Sequence, residues 1–332
     1  MDPEQRSNLL VVKLEALARG HAGDTPVTIE RPGEFGGGAA VVAATEGGPR
    51  LAWVLLDQPA GRGLGAAIAW ALRHTADGLH LVVEQADGAG VIARRSFGFQ
   101  FPIRVWRADG RALQPVMPAE LPEISMMPLD HLEWSSTIMA GGALPVIEHG
   151  VLAGEVNGLE VCRVVVDPDT GASRLDVGIG AHDRETFQML HGAKPKVEAL
   201  AEVVRAVAEH RQHGAPRHPL NLLAQERLLR ARLVEQPGLI GANGVAIVEP
   251  PVPRTNLKDA VPCVAVADVD GRRVAVVCSV GVDLDVVPFA IDVCASIESE
   301  EVLVAVPGRD LLEVQRRIAA VAAPSVTFVA VD

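Results

Sequence analysis

Two stretches of this 332-residue chain follow one plan, and that internal repetition constrains the fold more than any single motif. From Gly271, GRRVAVVCSVGVDLD reads as a buried β-branched run closed by a turn. A helix-length segment over 286–296, a second strand over 301–306, a helix from Asp310 and a closing strand, SVTFVAVD, follow it. From Gly48 the same succession appears as GPRLAWVLLD, GLGAAIAWALRH, LHLVVEQ, GVIARRSFGF and PIRVWRAD. Val54 and Val82 stand 28 residues apart where Val277 and Val304 stand 27 apart. The next step, Val82 to Trp106 or Val304 to Phe328, is 24 in both. Few residues are shared, so what repeats is the pattern of elements.

The flanks extend the match. RSNLLVVKLEALAR places Leu9, Leu10, Val12, Leu14 and Leu17 at helical spacing. PVTIERPG and GGGAAVVAATEGG follow as strands, the second turning at the Gly47-Gly48 pair. Further on, LNLLAQERLLRARLVEQP is helical, and VAIVEPPVP and PCVAVADVDG are strands. Each copy therefore runs helix, three strands, helix, strand, helix, strand. We expect an α/β protein of two related mixed-sheet modules flanked by helices, over 1–114 and 219–332, with an α+β segment over 115–218 between them. The prolines at 115, 118, 122 and 128 mark a linker at its start. Inside it, GLEVCRVVVDPDTGASRLDVGIG is a hairpin around Asp167, Pro168, Asp169 and Gly171. A helix capped by Asp183 and stopped at Gly192 follows, then one over 196–211.

Composition limits the function classes. No apolar run approaches the roughly 20 residues of a membrane span. The opening MDPEQRSNLL lacks the basic-then-apolar order of a signal peptide, so the expected location is the cytoplasm, without membrane attachment. A net charge of −12 argues against a surface built for nucleic acid, although Arg94, Arg95, Arg104 and Arg107 cluster as a local candidate groove. Cys162, Cys263, Cys278 and Cys294 lie apart in apolar contexts with no CxxC pair, which suits buried thiols.

The element order resembles the restriction-endonuclease-like fold, the PD-(D/E)XK superfamily. LGAAIAWALR, LHLVVEQ, GVIARRSFGF and PIRVWRADG look like the helix, strand, helix, strand tail of its DNA-cleaving members. The resemblance covers 6–113 and, through the second copy, 222–331. It implies an Mg²⁺ held by an Asp at the second strand and an acid on the third, with a Lys two residues on assisting the attacking water. Here those places fall near Ala40 and Val41 and within WVLLDQP, where Asp57 is the acid and no Lys follows. In the second copy they fall near Cys263 and within VVCSV, with Asp259 and Asp268 flanking the earlier strand. Both copies depart from the metal-binding pattern, so no metal or cofactor is expected.

Other polar groups qualify as candidates. His182, Asp183, Arg184 and Glu185 open a helix just past a strand, where backbone N–H groups favour anions, and Asp176 lies on the strand before them. Asp283 and Asp285 end a strand ahead of a helix, with Arg184 a third candidate ligand contact. His182 and His191 are nine apart and cannot form a zinc-helix pair; His210, His213 and His218 lie in a breaker loop. The expectation is a non-catalytic, nuclease-like structural or protein-binding component. The alternative is an enzyme: a nuclease with displaced carboxylates, or a small-molecule hydrolase using 182–185. The apolar closing strand needs cover, so protein partners or self-association are expected ahead of nucleic acid.

Overall fold

The computed structural model describes residues 3–57, 61–167, 170–191, 194–212, 218–252 and 261–332. Pro168, Asp169, Gly192, His213 and Asp259 lie outside them, as does the side chain of His191. The protein is α/β, with three sheets and flanking helices. It divides into two compact units, 1–121 with 282–302 and 311–328, and 122–281 with 303–310 and 329–332.

In the first unit, α1 (Pro3–Ala22) precedes β1 (Val27–Glu30), β2 (Gly38–Thr45) and β3 (Arg50–Leu56). Then come α2 (Leu64–Arg73), β4 (Gly78–Val83), α3 (Ala89–Ser96) and β5 (Ile103–Asp109). The sheet runs β1-β2-β3-β4-β5 and continues into β6 (Ala112–Pro115), a strand where the sequence suggested only linker. The β1–β2 and β2–β3 pairs are antiparallel, β3–β4 and β4–β5 parallel, as βαβ connections require. All six residues of β4 are buried, which fits a central parallel strand.

Helix α1 covers one face of this sheet. Its buried stripe is Leu14, Leu17 and Ala18 with Leu10 beside it, against Val41, Trp53, Leu55 and Val82. Leu9 and Val12, counted as core positions from the sequence, are more than half exposed because they fall outside that stripe.

The first unit also contains α8 (Val286–Ile297) and α9 (Glu313–Ala319), the repeat's equivalents of α2 and α3. Helix α2 packs on α9 and α3 on α8, the arrangement a twofold would give. An antiparallel bridge joins Phe99 to Ala322, 223 residues on, each just past the last helix of its copy. Small residues permit the approach. A Cβ on Gly98 would come 2.2 Å from Ile291 Cγ2, and one on Gly65 1.9 Å from the Leu284 carbonyl oxygen.

In the second unit, a 3-10 turn over Leu129–Glu133 and α4 (Trp134–Ala140) precede β7 (Leu144–Glu148) and β8 (Val151–Val156). With β9 (Leu159–Val166) and β10 (Ser173–Val177) they form an antiparallel sheet in the order β10-β9-β8-β7. The β9–β10 hairpin is the one expected. Helix α5 (Gly180–His191) begins three residues before Asp183, which accepts from the Ile179 N–H inside the first turn. Helix α6 (Lys196–His210) buries Leu200 and Val207 in the core of this sheet. After a 3-10 turn at Pro219–Leu222 comes α7 (Gln225–Glu235).

The third sheet runs β11 (Gly244–Ile247), β12 (Cys263–Val269), β13 (Arg272–Cys278), β14 (Glu301–Val306) and β15 (Ser325–Ala330), in that order. Its strand order and the order of its flanking helices match β1 to β5 of the first sheet. Among the described residues no helix is long and apolar enough to cross a membrane.

Candidate functional site

In the first module the parallel strands β3 and β4 end side by side, the edge at which open α/β sheets present polar groups. A shallow depression of about 50 Å³ lies there, lined by Leu56, Asp57, Arg62, Val83, Glu84 and Asp87 among others. That space suits one or two waters. Two of its carboxylates, Asp57 and Glu84, are engaged by cations of the same chain. Arg6 Nη2 donates to Asp57 Oδ1 at 2.8 Å, and Lys13 Nζ bonds Glu84; both cations come from α1. Arg62 Nη2 reaches Asp283 Oδ1 at 2.9 Å. Among the described residues no three His, Cys, Asp or Glu side chains gather as a metal site would need.

Apart from Asp57, which follows β3 and is exposed, the positions where the resemblance implies metal ligands hold apolar, thiol or hydroxyl side chains in the sheet interior. Ala40 and Val41 are buried in β2, and Cys263, Cys278 and Ser279 are buried in and after β12 and β13. Burial pushes Cys162 up to about 12 and Cys294 up to about 11, and raises Cys278 as well, so these thiols are protonated at neutral pH.

Asp283 and Asp285, candidate ligand contacts in the sequence, are turned to the chain itself. Asp285 accepts from the Gly63 N–H at 2.8 Å and the Gly65 N–H at 2.9 Å, satisfying donors at the start of α2. Arg94 and Arg95, proposed for a basic groove, are turned inward. Arg94 forks onto Asp292, Nε to Oδ1 at 2.8 Å and Nη2 to Oδ2 at 2.9 Å, and Arg95 Nε reaches Oδ2 at 2.6 Å. Asp292 is 1% exposed and sits in the apolar face of α8. Arg104 is exposed on β5, and Arg107 donates to Gln114 Oε1 at 2.6 Å across the β5–β6 pair. The four arginines therefore do not form one surface.

The 182–185 cluster does not converge either. His182, Asp183 and Glu185 are exposed on α5. Arg184 turns instead to buried Glu160 at 3.0 Å, which Arg163 also grips through two bonds of 2.9 Å. Asp176 pairs with Arg174 at 3.0 Å. His210 and His218 stack face to face, centroids 4.1 Å apart.

Two polar assemblies had no sequence motif. In the second unit, Glu148 and Glu155 of β7 and β8 meet Arg227 and Arg230 of α7, all nearly buried. Burial works to raise the Glu148 carboxyl, but the Arg230 and Arg227 guanidiniums outweigh it and hold it below the ordinary carboxylate range. The signal that could have found it was a pair of acids inside apolar strand runs and two arginines one helical turn apart.

The other assembly lies under α1, where His21, Trp53, His80 and Trp106 cluster with His80 at the centre. Trp106 Nε1 donates to His80 Nδ1 at 3.2 Å. Burial, then the charges of His21 and Arg104, lower His80 to about 4, so its imidazole is neutral. His21 follows Leu10, Leu14 and Leu17 on the helix stripe, which was the missed clue. No family model matches the chain, and no curated protein or solved structure matches it either.

Proposed function

We propose that the chain is a non-catalytic, nuclease-like protein that serves as a structural or protein-binding component. One observation carries this reading: the carboxylates Asp57 and Glu84 at the ends of β3 and β4 are ion-paired with Arg6 and Lys13 of α1, around a space of about 50 Å³ that is far smaller than a substrate pocket. A hydrolytic metal site needs oxygen ligands free to converge on the cation and an open position for the reacting group. Asp57 and Glu84 instead have cations of their own chain. The packing of α2 and α3 on α9 and α8 gives the duplicated fold a structural use, since each copy's helices supply the other's cover.

The hydrolase alternative at 182–185 has no supporting geometry, because Arg184 leaves the group and the other three side chains face solvent. The test is a cleavage assay with Mg²⁺ and with Mn²⁺ on single- and double-stranded DNA. No turnover is expected. Metal-dependent cleavage that disappears in Asp57→Asn or Glu84→Gln would overturn the reading.

A further inference from the structure

The two modules differ in what lies along their last strand. In the first, β6 pairs antiparallel with β5 from Trp106↔Pro115 to Asp109↔Ala112. The chain then continues along that edge: the Val116 N–H donates to the Val105 carbonyl at 3.0 Å, and the Ala119 N–H to the Gly90 carbonyl of α3 at 2.9 Å. Arg94 clamps the segment through the Ala119 carbonyl at 3.0 Å. Residues 112–119 thus fill the channel between the edge of β5 and α3.

In the second module no described segment fills the equivalent channel, between β15 and α9. It is a groove of about 520 Å³ lined by Arg316, Ala319, Ala320, Ala323, Val326 and Phe328 among others. Strand β15 ends its sheet, and among the described residues no strand pairs with its other edge. The direction of its backbone groups follows from two bonds to the β14 side, Ser325 N–H to the Glu300 carbonyl and Val331 N–H to the Val306 carbonyl. Since successive residues of a strand face opposite edges, Val326, Phe328 and Ala330 point their N–H and C=O groups into the groove side. Counted from the Phe99–Ala322 bridge, 223 residues apart, Phe328 corresponds to Val105, one residue from the Trp106 that the sequence spacing matched to it, and the Val105 carbonyl takes the Val116 N–H in the first module.

We infer that the groove between β15 and α9 is a docking site for an extended peptide segment of a partner protein, added antiparallel to β15 as a further strand. Residues 112–119 of the chain itself supply the template for the occupant. The floor of Ala319, Ala320 and Ala323 takes small or β-branched apolar side chains, and the backbone edge supplies the hydrogen bonds, as in strand-addition recognition. Glu313 stands where Gly90 lets the chain cross α3, so the partner strand ends before that crossing. The inference rests on the protein-binding reading above.

The probe is a fluorescein-labelled peptide copying residues 111–118, titrated with the full chain and followed by anisotropy. Saturable binding is expected, with at least about tenfold weaker binding to Val326→Pro, which removes one groove-facing N–H without touching the β14 side. Ala320→Trp fills the groove from an exposed position and keeps the backbone intact, so it tests the site even where the proline variant does not fold. N-methylation of alternate peptide amides should abolish binding, because the recognition is by backbone. Absence of saturable binding, or binding indifferent to both variants, overturns the inference. So does a dimer by sedimentation that Val326→Pro disperses, which would assign the edge to a second copy. A failed titration beside a null cleavage assay removes the docking site and leaves the non-catalytic reading standing, whereas DNA cleavage removes that reading whatever the peptide does.

Discussion

Replacing Asp292 by alanine should destabilise the first unit by about 4 kcal/mol. The carboxylate is 1% exposed and accepts three hydrogen bonds from two guanidiniums that are themselves 15% and 8% exposed. Breaking a buried ion pair by removing one partner costs roughly 3–5 kcal/mol, because the remaining charge stays desolvated. Arg94 keeps the Ala119 and Glu120 carbonyls as acceptors, which places the cost inside that range and not above it. Arg95 keeps the face of Phe289, its guanidinium carbon 5.8 Å from the centroid, worth about 0.5–2 kcal/mol. Asp292→Asn preserves shape and one acceptor, so about 2 kcal/mol is expected for it. Tryptophan fluorescence during urea unfolding is a suitable readout, since Trp53, Trp70 and Trp106 belong to this unit. With a slope of about 2–3 kcal/mol/M, the alanine variant should unfold at about 1.5 M less urea. The triple replacement Arg94→Met, Arg95→Leu, Asp292→Leu should recover most of the loss, as apolar substitutes for buried ion clusters do. A loss under about 1 kcal/mol for Asp292→Ala would show that the arginines escape to water and that the cluster does not hold α3 to α8.

Three further outcomes can be checked directly. The folded His80 titrates near 4, below the ordinary 6.5, so the unfolded chain binds the extra proton first; stability should be full above about pH 6.5 and fall as pH drops toward 4. His80→Phe should flatten that window in urea titrations, and an unchanged profile would refute the burial assignment. Gly65→Ala should cost at least 2 kcal/mol, about the size of an overpacked core contact, because its Cβ would meet the rigid Leu284 carbonyl at 1.9 Å; a thermal midpoint equal to the parent's would contradict that approach. All four thiols are buried, so a maleimide at pH 7.5 should label none of them before unfolding, and fast native labelling of any one would be inconsistent with the packing.

The repeat was legible because it is written in local patterns. β-branched runs, glycine turns and helical stripes each depend on a few neighbouring residues, so the order helix, three strands, helix, strand, helix, strand could be read twice. The β9–β10 hairpin was equally plain, since its turn residues carry their own hydrogen-bond chemistry. The region 130–158 was not, because its short elements carry little periodicity. Strand β6 escaped for another reason: a proline at 115 reads as linker, yet at a sheet edge its missing N–H costs no ladder bond.

Charge was the least legible quantity. Arg94 and Arg95 look the same in sequence as Arg104, but α8 brings Asp292 to the first two and leaves the third in solvent. Asp285 reads as a strand-end ligand, and becomes a cap only because α2 approaches through Gly65. Sequence by itself determined the elements, their duplication and the lack of acids at Ala40, Val41 and Cys263, because these follow from residue type and local spacing. Tertiary structure alone decided which charges are buried in pairs, which strand edge is covered by 112–119 and which, at β15, pairs with no further strand among the described residues. Those outcomes depend on groups tens to hundreds of residues apart meeting in space, and no local pattern in the chain encodes that distance.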